Sequence, residues 1–151
     1  MDITFTKISD EEHSVSVRRR DSSEETAILN SRSFLRHDLA HLAVEMELPL
    51  AKGYWGLVAN GASLPGDGMS GSELALAESL AGPVQTLMRL DSDTSKYLYV
   101  LEQVIPEKAS PELAQRIQER GRKLQGHWKG TPYRAEMRLL WNGVPSDETD
   151  T

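Results

Sequence analysis

Two histidines four residues apart, each with an acid within reach, are the most chemically loaded part of the sequence. The segment Arg36-His37-Asp38-Leu39-Ala40-His41-Leu42-Ala43-Val44-Glu45 has helical spacing, and residues four apart on a helix stack on one flank. His37, His41 and Glu45 therefore share a stripe, with Asp38 beside the first imidazole. Imidazole nitrogens and carboxylate oxygens are donors for a divalent cation such as zinc. The same groups exchange protons near neutral pH. A third use needs no ligand at all: a polar seam, hydrogen-bonded to a loop or to another helix.

Helix dimensions restrict the metal reading. At a rise of about 1.5 Å per residue, His37 and His41 lie roughly 6 Å apart along the axis, a chelating separation, and His37 and Glu45 about 12 Å apart. Donors to one ion sit about 2 Å from it, so the stripe is not a complete set. Either His37 and His41 bind with Glu45 outside, or His41 and Glu45 bind with His37 outside. A third donor must come from elsewhere, and His127, Glu73, Glu78 and Asp67 qualify by type. Asp38 stands where the HExxH zinc hydrolases carry a proton-handling glutamate. One methylene shorter, it reads as a proton handler or as a partner that orients a histidine. The HDxxH pattern also resembles zinc proteins of coenzyme Q biosynthesis, but Gly53 holds the place of their following glutamate ligand.

The elements that must position these residues are legible in the periodicity. Residues 2 to 8, 13 to 20 and 26 to 29 alternate apolar and polar and are joined by short polar turns, the pattern of an antiparallel meander. Asn30 or Ser31 caps a helix over residues 31 to 47, with Leu35, Leu39, Leu42 and Met46 on its apolar face. Pro49 ends it. A short helix over residues 53 to 61 closes on Asn60-Gly61. The glycine-rich stretch from Gly61 to Gly71 reads as a mobile loop, and Ser72 opens a helix that Gly82-Pro83 breaks or kinks. Residues 96 to 105 are ambiguous and read as helix. Ser110-Pro111 starts a helix running to about Leu124. Residues 133 to 141 form a last strand that returns to the meander. The expectation is an α+β fold: a small antiparallel sheet, the N-terminal meander plus a C-terminal strand, covered by several helices. It predicts a single domain over residues 1 to 145 and a disordered acidic tail over 146 to 151.

Composition narrows the function. A chain of 151 residues with 38% hydrophobic and 26% charged residues fits a globular domain with a real core. The absence of cysteine excludes disulfides and thiolate metal sites and predicts a cytoplasmic protein. Met1 to Thr6 carries no basic segment followed by an apolar run, so no secretory signal is expected. No apolar stretch approaches the roughly 20 residues that span a bilayer. A formal charge of -6 argues against membrane surfaces and nucleic acid. Arg116, Arg120, Lys123 and Lys129 form a basic stripe on the late helix, whose plainer meaning is a solvated face paired with Glu112 and Glu119. Arg18-Arg19-Arg20 reads as cross-strand pairing with Glu24 and Glu25. There is no GxxxxGK[ST] and no GxSxG.

A longer run, Arg32 to Glu45 followed by Gly53-Tyr54-Trp55-Gly56-Leu57-Val58-Ala59-Asn60-Gly61, and later Gly126-His127-Trp128-Lys129-Gly130-Thr131-Pro132-Tyr133 leading into Met137 to Trp141, resembles a group of small bacterial proteins. The resemblance spans most of the chain and implies a compact bacterial α+β protein. It brings no activity or cofactor with it. The sequence therefore supports two main expectations. The first is a non-catalytic binding or interaction protein, a homodimer through apolar helix and aromatic surface. The alternative is a divalent-metal-dependent hydrolase with His37 and His41 as ligands and Asp38 and Glu45 as its catalytic or orienting acids.

Overall fold

Alternation builds the sheet. In the computed structural model, which describes residues 1–48, 50–64, 66, 68–87 and 94–142, the first strands are β1 (Asp2–Lys7), β2 (Glu12–Arg18) and β3 (Glu24–Asn30). Ile3 and Phe5 of β1 face Val17 and Val15 of β2, and all four are buried. The last strand, β4 (Glu136–Leu140), pairs antiparallel with the free edge of β1, placing Met137 opposite Phe5. The order is β3-β2-β1-β4. One face is thus apolar along its length, and it must be covered.

The cover is helical. The chain leaves β3 directly into α1 (Ser31–Glu47), where the Asn30 side chain accepts from the Arg32 and Ser33 N–H groups. Leu48, the residue before Pro49, is extended, as pre-proline residues are; Pro49 itself lies outside the described residues. Next comes α2 (Tyr54–Ala59). It closes with Gly61 at φ 108°, Gly61 N–H on the Val58 carbonyl and Ala62 N–H on that of Leu57, the paired bonds of a left-handed helix stop. The remaining helices are α3 (Ser72–Leu87), α4 (Ser95–Val104) and α5 (Pro111–Lys129). Pro83 does not end α3. The helix continues through it with Ala77, Leu80, Ala81, Val84 and Leu87 buried; this packing offsets the lost backbone bond. Likewise α5 continues past Leu124, because Trp128 still packs on Phe5 and His13. Its start is as the sequence predicts, with Ser110 Oγ accepting from Leu113 N–H. The tail over 146 to 151 lies outside the described residues.

Two of the buried polar residues link the sheet to its helical cover. His13 on β2 is fully buried, stacked near Phe5 and edge-on to Trp128. Its Nδ1 contacts Ser31 Oγ at 2.9 Å, and Nε2 is buried with no partner. Burial pushes its pKa down to about 4, against about 6.5 in an unfolded chain. The neutral ring is the folded form, so stability is full above pH 6.5 and falls as pH drops toward 4. The loss below pH 4 is on the order of 3 kcal/mol. We expect His13→Leu to flatten that decline, read from urea unfolding at pH 7 and pH 4.5. The same slope in the variant would refute the assignment.

Arg19, just past β2, is the second group. Its Nε donates to the Val58 carbonyl at 2.6 Å and its Nη2 to Glu25 Oε1 at 3.1 Å and to the Ala62 carbonyl at 3.0 Å. The expected pairing with Glu25 is present, and it also ties the C-terminal end of α2 to the sheet. On α5, Arg116 and Arg120 pair across to Glu47 of α1 (3.4 and 2.9 Å). Among the described residues these replace the expected partners Glu112 and Glu119. No helix among the described residues is long and apolar enough to cross a membrane.

Candidate metal centre

The site begins with Glu45, which the fold buries completely. Its Oε1 accepts from the Trp55 and Gly56 N–H groups (2.9 and 3.2 Å), and its Oε2 accepts from the Tyr54 N–H (2.8 Å). These are free donors of the first turn of α2. That helix has no side-chain cap of its own, since Gly53 is its N-cap. Glu45 supplies the cap from α1, an anion at a helix N-terminus. The approach is so close that a Cβ on Gly53 would lie 2.5 Å from Glu45 Cδ. The residue that occupies the missing-ligand place of the HDxxH pattern is therefore space for a neighbouring carboxylate.

Glu45 also fixes His41. Its Oε2 lies 3.0 Å from His41 Nδ1. A carboxylate flanked by N–H donors can only accept, so Nδ1 carries the proton and Nε2 points away with a free lone pair. His41 is fully buried, and Nε2 has no hydrogen-bond partner. One turn earlier the arrangement repeats. His37 Nδ1 lies 3.0 Å from Asp38 Oδ1, which turns His37 Nε2 in the same direction. The two rings sit 4.5 Å apart between centroids, and the Tyr54 ring lies 5.5 Å from each.

The third group comes from α3, which packs along α1. Glu78 Oε1 lies 3.3 Å from His37 Nε2 and 3.3 Å from His41 Nε2. The His41 contact is in ion-pair range, and Nε2 makes no hydrogen bond of regular geometry. The donor atoms of His37, His41 and Glu78 all lie within 4.8 Å of one another. Four donors about 2 Å from a tetrahedral ion are roughly 3.3 Å apart, the value of both imidazole–Glu78 separations. Glu78 is half exposed and His37 about one-third exposed, so the cluster opens to solvent on that side and is sealed on the side of His41.

Opposite charges crowd this cluster. Burial lifts the Asp38 carboxyl above its usual range, against the pull of the His37 hydrogen bond. Burial alone would lower the His37 pKa, but the Asp38 hydrogen bond and the charges of Asp38 and Glu78 outweigh it and hold it above the ordinary value. For Glu78 burial is again opposed, and the two imidazoles draw it below the carboxylate range. Burial, then the charges of Asp38 and Glu45, keep the Tyr54 phenol protonated far above its normal range. For His37 and Glu78 alike, burial is outweighed by the charged partners crowded around them. A dication would satisfy them at once.

Of the residues predicted from sequence, His37 and His41 converge, and Glu78 is the carboxylate that meets them. Glu45 cannot bind the same ion, because both its oxygens are occupied by backbone N–H groups and His41. Asp38 is sealed in the interior and faces His37, so it orients that imidazole and does not reach the open side as a proton handler. Glu73 accepts instead from the Lys52 N–H. His127 lies exposed in the last turn of α5, outside the cluster. Asp67 lies outside the described residues. Sequence reasoning overlooked Tyr54 as a wall of the site and Glu45 as the cap of α2. The available signal was a helix beginning at Tyr54 with no capping side chain beside it, which requires an acceptor from elsewhere. No family model, curated protein or solved structure matches the chain.

Proposed function

We propose that the chain is a divalent-cation-binding protein whose centre is His37 Nε2, His41 Nε2 and a carboxylate oxygen of Glu78. One observation carries the reading. A fully buried imidazole nitrogen with no hydrogen-bond partner converges with a second imidazole and with a carboxylate from another helix. Both imidazoles are backed by carboxylates that set their tautomer, the outer arrangement typical of metal-bound histidine. Two nitrogens and one oxygen suit zinc, and the same set serves ferrous iron. Three protein donors with one open side belong to sites that keep a free position. A dication bound there would supply Lewis acidity at that position. The remaining work is done by the chain: Asp38 and Glu45 hold the two rings, and Tyr54 covers their inner faces.

The geometry favours binding over hydrolysis of the HExxH kind. That chemistry needs an acid on the open side to take a proton from water, and Asp38 is turned inward. The His37–Glu78 contact also allows a metal-free seam of protonated imidazoles between carboxylates. Metal content separates the two. Protein made without an affinity tag is stripped with chelator, dialysed against zinc, and analysed for bound metal. We expect one zinc per chain in the wild type and near-complete loss in Glu78→Ala, a half-exposed position whose change leaves the fold intact by circular dichroism. Equal zinc in the two proteins, or none in either, overturns the proposal.

A further inference from the structure

On the far flank of α1, away from the two imidazoles, the structure forms a second and chemically opposite site. A groove of about 590 Å³ lies where the β1–β2 turn, the first turns of α1 and the end of α5 meet, and it is lined by Lys7, Arg32, Arg36 and Lys129 with Asp10 as its one acid. Four cations against one carboxylate stand out in a chain of net charge -6. The acid is already engaged, because Asp10 Oδ1 accepts the Tyr133 hydroxyl.

The groove has a fixed floor and a wall. Lys7 Nζ donates to the Trp128 carbonyl at 2.7 Å and sits 4.8 Å from the centroid of the Trp128 ring. That holds the ammonium in place and leaves two of its three donors free. Among the described residues, Arg36 and Lys129 have no carboxylate partner, and Arg32 has only Glu11 at 4.0 Å, both ends solvent-exposed. Such a contact contributes little. Tyr133, pinned through its hydroxyl, is 58% exposed. A flat partner could stack on it at small cost in side-chain freedom.

We propose that this groove binds a nucleotide-sized phosphorylated small molecule, with its phosphates on Lys7, Arg36 and Lys129 and its ring on Tyr133. The volume is that of a small-molecule site, and guanidinium with ammonium is the usual donor set for phosphate. The acidic total disfavours a long polyanion, whose affinity grows with the number of phosphates neutralised.

The test is isothermal titration of the full chain with ADP in the presence of EDTA, which removes any contribution from the histidine centre. Pyrophosphate, adenosine and a single-stranded oligonucleotide are the comparison ligands. We expect ADP to bind more tightly than pyrophosphate or adenosine. We expect at least about a tenfold weakening in an Arg36→Ala, Lys129→Ala double variant, whose positions are both exposed. Tyr133→Ala should weaken ADP and leave pyrophosphate unchanged. No heat with ADP at about 1 mM, undiminished binding in the double variant, pyrophosphate equal to ADP, or an oligonucleotide preferred over ADP would each overturn the assignment.

Discussion

Replacing Glu45 by glutamine is expected to cost about 3 to 5 kcal/mol of stability, the scale for breaking a buried charged network. The carboxylate receives three backbone N–H groups and one imidazole N–H. An amide keeps one oxygen, and its NH₂ then faces donors. At least one backbone N–H loses its acceptor, and it lies in the interior where water cannot replace it. The start of α2 loses its cap as well. Glu47→Gln is the matched control. Its partners Arg116 and Arg120 are half exposed, and such pairs contribute less than about 1 kcal/mol. Urea unfolding of the three proteins at pH 7 reads the difference. A loss in Glu45→Gln no larger than that in Glu47→Gln would show that α2 is not anchored this way.

The second large effect is stabilisation by zinc. A ligand that binds only the folded state adds about 4 kcal/mol at 1,000 times its dissociation constant. For a chain of this length that raises the melting temperature by about 8 to 16 °C. We expect the full increment in the wild type and in His127→Ala, since His127 lies outside the cluster. In His41→Ala we expect almost none. The increment is read within each protein, with and without zinc, so any loss of fold stability in His41→Ala does not disguise the result. An equal increment in wild type and His41→Ala would place the ion elsewhere.

Local signals carried much of this architecture. Asn30 ahead of an apolar helical face, Ser110-Pro111, and the alternation through Ile3 and Phe5 are short-range features whose physics does not wait for tertiary packing. Pro83 shows the reverse case: its local preference opposes a helix, and burial of Leu80, Val84 and Leu87 overrides it. The site divides the same way. The histidine pair is local, because one helix sets its spacing. Glu78 was one of four equal candidates, because only the packing of α3 on α1 decides which carboxylate arrives. Glu45 was harder still. Its place on the stripe suggested a ligand, yet its partners are backbone groups of α2, and no pattern in side-chain types announces a main-chain N–H. The retained hydroxyl-free N-cap at Gly53 was the trace of that arrangement.

Trp55 connects this interior to an observable signal. Its indole N–H is bonded to the Asp38 carbonyl at 3.0 Å, and its ring stands edge-on to Tyr54, which in turn flanks both imidazoles. An indole held dry and immobile emits toward the blue, and a paramagnetic ion nearby drains its excited state. The fold has therefore placed a fluorophore one ring away from its histidine pair, and titration with copper(II) would register there as quenched emission without any label.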